Sequence, residues 1–122
     1  MAPSGLEVIV GMRRDPTFGP LMMFGLGGVY VELFKDVGFG VAPMGPGQAQ
    51  AMINGTKAGT LLSGYRGGPV YDMAAVVDAI GRLSQLGLDH PSISDVEINP
   101  LLVQPKGKGA KVLDARMILQ NE

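Results

Sequence analysis

Three oxygen-bearing side chains near the C-terminal end have types and a spacing that could do chemistry: Glu97, Asn99 and Asp114. Glu97 and Asn99 are two residues apart in Ile93 to Val103, a run rich in apolar residues. On a strand such a pair shares one face, with Val96, Ile98 and Leu101 on the buried side. Pro105-Lys-Gly-Lys-Gly109 has the make-up of a hairpin turn, and Val112 to Leu119 reads as the returning strand. With the turn centred on Lys106-Gly107, Asn99 falls opposite Asp114 and Glu97 opposite Arg116, at cross-strand Cβ separations of about 5 Å. Carboxylate and amide oxygens without His or Cys suit a hard cation such as Mg2+. That ion takes one or two carboxylates and completes its shell with waters and substrate phosphates. The patch therefore implies a phosphate-bearing ligand. The same residues also fit a plainer pattern, polar side chains on an exposed hairpin face with Glu97 and Arg116 as a salt bridge. A one-residue slip in register would disperse the patch.

Other features carry weaker chemistry. Gly25-Leu-Gly-Gly28 sits between two strand-like runs, where glycines let a backbone approach a ligand and can form an anion-binding nest. It is neither a Gly-x-Gly-x-x-Gly opening a helix nor a Gly-x-x-x-x-Gly-Lys-[Ser/Thr] loop, and a tight turn accounts for it equally. Glu7 and Glu32 are the other acids in strand-like runs, and solvated positions explain both. Asp15 suits the start of a turn. His90, the only histidine, precedes Pro91 in a polar loop and reads as a surface residue. The eight methionines are spread along the chain as core filler.

The elements that must hold these residues follow from periodicity. Leu6 to Met12 alternates as a strand, with Leu6, Val8, Val10 and Met12 on one face and Glu7, Ile9, Gly11 and Arg13 on the other. Asp15-Pro16 and Gly19-Pro20 bracket a turn, Leu21 to Phe24 returns, and Val29 to Phe34 and Val37 to Ala42 supply two more strands. Gln48 to Asn54 is a short helix, and Gly59 to Gly68 reads as a loop. Asp72 to Leu86 is the strongest helix, with Asp72 at its N-cap and Gly87 just past its end. A meander of strands, two helices and a hairpin give an α+β fold, an antiparallel sheet with helices packed on one face.

Composition narrows the function. The chain has 122 residues, 46% hydrophobic and 17% charged, enough for one core and too apolar for a disordered chain. Ten basic and eleven acidic residues leave no footprint for nucleic acid and no basic membrane-surface patch. No cysteine is present, which excludes disulfides and thiolate metal sites. The 19 glycines and 9 prolines fall between apolar runs, as turn formers do. Met1-Ala-Pro-Ser-Gly lacks the basic and apolar regions of a signal peptide, and no apolar window reaches the length of a membrane span. The expectation is a soluble cytoplasmic protein.

The run EVIVGMRRDPTFGPLMMFGLGGVYVELFKDV, Glu7 to Val37, resembles the second half of the ATP-grasp domain of ADP-forming acyl-CoA synthetases. These are the acetate–CoA ligases and their fused relatives, akin to the β subunit of succinyl-CoA synthetase. LLSGYRGGP from Leu61, VEINPLLV from Val96 and LDARM from Leu113 agree in the same order, and the likeness covers nearly the whole chain. It implies an ATP-grasp C-terminal subdomain that binds ATP/ADP and Mg2+. The implied reaction converts an acid, CoA and ATP to acyl-CoA, ADP and phosphate through an acyl phosphate and a phosphohistidine. By match, Asn99 and Asp114 are metal ligands, and Glu97 acts in phosphoryl transfer involving the histidine. Glu7 falls near the ribose, Glu32 is the acid of the GLGGVYVE segment, and Gly27 and Gly28 form its loop.

The resemblance also implies partners. An ATP-grasp site lies between two subdomains, and the first, with its phosphate-binding lysine, does not match anything here. The CoA-binding and histidine-bearing domains are likewise unmatched, and His90 does not correspond to that histidine. Residues 1–122 are therefore expected to be one ATP-grasp subdomain of a larger ligase, binding ATP weakly alone and self-associating through apolar surface left uncovered. The competing expectation is a ligand-sensing ATP-grasp-like module fused to an acyltransferase. Such a copy should have lost its metal residues, whereas Glu97, Asn99 and Asp114 are all retained.

Overall fold

Apolar residues at alternate positions build β1 (Leu6–Asp15), whose hairpin partner is β2 (Gly19–Leu26). The computed structural model describes residues 5–27, 36–64 and 67–120. In the turn, Asp15 Oδ1 accepts hydrogen bonds from the N–H groups of Thr17 (2.8 Å) and Phe18 (3.0 Å), the role expected of this residue. Gly19, at φ 76°, takes the left-handed conformation that closes the turn. Both strands outrun their expected spans because the ladder stays unbroken from Asp15–Gly19 to Val8–Leu26. β3 (Val37–Val41) pairs antiparallel with β2. The expected strand Val29 to Phe34 lies outside the described residues.

Three helices follow: α1 (Pro46–Asn54), α2 (Lys57–Leu62) and α3 (Met73–Asp89). α1 starts earlier than expected, since Pro46 is pre-set for a first turn and Gln48 Oε1 accepts from the Gly45 N–H at 2.7 Å. α2 occupies part of a segment expected to be loop. Its leading N–H groups are caught twice, by Thr56 Oγ1 from Gly59 (3.1 Å) and by Asp36 Oδ2 from Lys57 (2.8 Å) and Ala58 (3.2 Å). The second cap comes from a residue distant in sequence, so local propensity does not reveal it. Asp72 caps α3 as expected, its Oδ1 accepting from the Ala75 N–H at 3.1 Å. Its Oδ2 accepts from the Gly109 N–H at 2.8 Å, tying the helix to the hairpin turn.

α3 does not stop at Gly87 but runs to Asp89. A Cβ at Gly87 would lie 3.0 Å from Pro20 and 3.1 Å from Met12, so this glycine serves close approach of helix to sheet rather than termination. Arg14 closes the helix end. Its Nη2 donates to the carbonyls of Gly87 (2.7 Å) and His90 (3.1 Å), and its Nε donates to that of Ile93 (2.9 Å). A cation there also meets the negative end of the helix dipole.

β4 (Ile93–Val103) matches its expected span. The returning strand is two strands, β5 (Ala110–Val112) and β6 (Ala115–Leu119), broken at Leu113-Asp114. Opposite the break stands Pro100, which has no N–H to give the ladder. Leu101 pairs with Val112 above the break and Ile98 with Ala115 below it, so the expected register holds on both sides. The sheet order is β3-β2-β1-β4-β5, with β6 also on β4, and every pairing is antiparallel. Val8, Val10, Met12, Met22, Phe24, Val96 and Leu101 face the helices and meet Ile53, Leu62, Val76 and Ile80 in one core. The fold is α+β with helices on one face of the sheet, as the order of elements implied. No helix among the described residues is long and apolar enough to cross a membrane.

Candidate functional site

Strand alternation sends every second residue to the face without helices. Because Val96 and Ile98 pack toward the core, Asp95 and Glu97 lie on the open face, and Asn99 follows them just before the register shift that brings Leu101 back to the core. The ladder arranges that face in rows. Glu7 stands opposite Leu102, which stands opposite Lys111. Next, Ile9 stands opposite Gly25 at the point where the β1–β4 register shifts, so that Asn99 and Pro100 together span the step from Ile98 to Leu101, and the Asn99 N–H donates to the Asp114 carbonyl at 3.0 Å. Below it run Phe39, Met23, Gly11, Glu97 and Arg116, then Val41, Leu21, Arg13, Asp95 and Ile118.

Asn99 and Asp114 are thus cross-strand neighbours, and Glu97 and Arg116 are the pair beside them, as the sequence register implied. Arg116 Nη2 lies 3.4 Å from Glu97 Oε2. Asp114 Oδ1 accepts from the Ala115 N–H at 2.9 Å, which holds the carboxylate beside the interruption between β5 and β6. The residue is exposed. Among the described residues no three His, Cys, Asp or Glu side chains cluster as a complete metal cage. An amide oxygen and one carboxylate are a partial shell. That fits Mg2+, which keeps waters and phosphate oxygens as its remaining ligands, and does not fit a thiolate or imidazole metal.

Glu7 and Gly27 also come together. The Gly27 N–H donates to the Glu7 carbonyl at 2.9 Å, and a Cβ at Gly27 would lie 3.1 Å from the same carbonyl group. A side chain here would push the end of β2 away from β1 by a few tenths of an ångström. The pair sits two rows from Glu97, at the other end of the open face. Gly28 and Glu32 lie outside the described residues. His90 is the exposed C-cap of α3, consistent with a surface histidine.

Several residues of this face escaped the sequence reading. Arg13 Nε donates to Asp95 Oδ1 at 3.1 Å, and Ser94 Oγ donates to Asp95 Oδ2 at 2.6 Å. The Ser94 hydrogen bond leads in holding the Asp95 carboxyl below its ordinary value. Partial burial opposes it, while Arg13 and the charge of Arg116 reinforce it. A hollow of about 340 Å3 opens over Gly11, walled by Met23, Leu21, Phe39 and Ile118 and rimmed by these charges. The signal was present: Asp95 precedes Glu97 by two residues, and Gly11 and Arg13 share the Glu7 face. A second hollow of about 620 Å3 lies on the helix side between α1 and α3, away from this chemistry.

Comparison with known proteins points the same way. Residues 1–119 match the family described as ATP-grasp domain. An ADP-forming acetate–CoA ligase of Archaeoglobus fulgidus is 46% identical over 122 residues, all of this chain and 18% of that protein. The β subunit of an ADP-forming acetate–CoA ligase of Pyrococcus furiosus is 47% identical over 119 residues, 98% of this chain and 50% of that protein. Among solved structures, an acetyl-coenzyme A synthetase of Ca. Korarchaeum cryptofilum in complex with coenzyme A and Mg-AMPPCP superposes with a TM-score of 0.90. It is 48% identical and matched over 98% of this chain and 55% of that one. The chain therefore spans half or less of the length of these curated relatives.

Proposed function

The chain belongs to the ATP-grasp domain family, and from that premise we propose that it forms one wall of the Mg2+–ATP site of an ADP-forming acid–CoA ligase. The observation that carries the reading is the Asn99–Asp114 pair, joined by a 3.0 Å backbone hydrogen bond with Glu97 one pair below it on the open face. Residues 1–122 would be a single subdomain. A second ATP-grasp subdomain would close over the open face, and CoA-binding and histidine-bearing domains would complete the enzyme.

In this reading the Asn99 and Asp114 oxygens hold Mg2+, which when bound neutralises phosphate charge for phosphoryl transfer. Asp114 is oriented by the Ala115 N–H. Glu97 points from the same face and would accept a hydrogen bond from the imidazole that takes the phosphoryl group. A carboxylate in that role fixes the tautomer and aims the other ring nitrogen at phosphorus. Glu7 lies toward the ribose end, with Gly27 pinned against its backbone. Gly28 and Glu32 are assigned to the same nucleotide loop by resemblance alone. The reaction is acid, CoA and ATP to acyl-CoA, ADP and phosphate, reversible through a phosphohistidine. ATP and CoA as co-substrates support a cytoplasmic location.

A chimera tests this. The matching half of the Pyrococcus furiosus β subunit is replaced by this chain and the product is assembled with the complementing subunit. Acetate-dependent ADP formation is expected, and Asn99→Ala should reduce it at least tenfold. If Asn99→Ala leaves turnover and Mg2+–ATP affinity unchanged, the metal assignment fails.

A further inference from the structure

Glu97 has a neighbour on each side in the ladder, and the two differ completely. On β1 it faces Gly11, which has no side chain, so the hollow over Gly11 is open to a Glu97 side chain that rotates toward it. On β6 it faces Arg116, whose Nη2 lies 3.4 Å from Oε2. Among the described residues Arg116 is the ion-pair partner of Glu97. Asp95, an acid that feels the charge of Arg116, is hydrogen-bonded elsewhere. Both Asp95 oxygens are already taken, Oδ1 by Arg13 and Oδ2 by Ser94, and its own ladder partner on β6 is Ile118.

We infer that Arg116 is a positioning residue, which keeps the Glu97 carboxylate on the Asp114 side of the face and out of the hollow over Gly11. This rests on the role proposed above for Glu97. Arg116 does not touch the metal pair or the phosphoryl group. It acts through one carboxylate, by charge and by a hydrogen bond along the sheet edge. The Arg13–Asp95–Ser94 network is the companion device, because with both Asp95 oxygens bonded there Arg116 reaches Asp95 through its charge and forms its ion pair with Glu97. The Arg116 side chain is 74% exposed, and a pair so exposed contributes little to folding. Lost function without Arg116 would therefore not reflect an unfolded chain.

The test uses the chimera described above, with Arg116→Ala, Arg116→Lys and Glu97→Gln. Single-turnover phosphoryl transfer from Mg2+–ATP to the histidine-bearing partner is measured beside the Mg2+–ATP dissociation constant. Arg116→Ala should slow transfer at least fivefold with the dissociation constant within twofold, and Arg116→Lys should recover most of the rate. A slowing below fivefold overturns the inference. So does a loss of Mg2+–ATP affinity equal to the loss of rate, or a defect that Lys does not relieve. Glu97→Gln separates the two levels. If it is slow while Arg116→Ala is not, only the positioning role falls. If Glu97→Gln transfers normally, the reading of Glu97 falls and the Arg116 inference falls with it.

Discussion

The two faces of the sheet are made by the same strands and differ in almost everything else. On β1, Val8, Val10 and Met12 are buried against the helices, while Glu7, Ile9, Gly11 and Arg13 alternate with them on the other side, where Ile9 is buried as well. On β4, Val96 and Ile98 alternate with Asp95, Glu97 and Asn99. One face excludes water and contributes stability, and the other presents paired charges, an amide and a hollow. The period of two lets one strand serve both purposes without compromise, because a substitution on one face barely touches the other. Folding and chemistry should therefore separate under mutation.

The largest expected effect is on the covered face. Phe24 is fully buried, and Phe24→Ala should cost about 3–5 kcal/mol, read as a shift of the urea midpoint. An equal cost for substituting one of the polar open-face residues, such as Glu97 or Arg116, would break the distinction between the faces. Next comes the link between helix layer and hairpin. Asp72→Ala removes the α3 cap and the acceptor for Gly109 and should cost about 1–2 kcal/mol, again by urea denaturation. Gly11→Ala on the open face sharpens the contrast. Its Cβ would meet Met23 at an ordinary 3.4 Å, so the midpoint should hardly move while the floor of the hollow fills.

The smallest effect is a dependence on pH. Asp95 has a lowered pKa in the folded chain, so its contribution is present above the unfolded aspartate value of about 3.9 and fades as pH falls below it. Wild type should exceed Asp95→Asn in stability at pH 7, and the gap should close toward pH 3. Denaturation midpoints at the two pH values measure this. A constant gap would mean that the Asp95 carboxylate is not held by Ser94 and Arg13.

The same division explains what the sequence made legible. The hairpin register was readable because a turn centred on Lys106-Gly107 sets Asn99 opposite Asp114 and Glu97 opposite Arg116, the pairing the structure has. The end of β1 and the course of α3 were not, because they depend on contacts between distant residues. Gly87 looks like a terminator until Pro20 and Met12 are seen against it. α2 looks like loop until Asp36 is seen at its start. Of the site, the Asn99–Asp114 pair and its Glu97 neighbour were visible in the pattern of one hairpin. The Arg13–Asp95 pair and the hollow over Gly11 needed β1 beside β4, a pairing across some eighty residues that no local pattern encodes.

The central claim is that Asn99 and Asp114 bind the divalent ion of a metal–ATP complex. Mn2+ in place of Mg2+ broadens the amide signals nearest to it, so a 15N-labelled chain titrated with Mn2+ and ATP reports the site directly. Broadening should centre on Asn99, Asp114 and Ala115, and Asn99→Ala with Asp114→Asn should abolish it while the rest of the spectrum stays in place. Broadening centred on other exposed acids such as Asp78 or Asp89, or unchanged by the double substitution, would contradict the account.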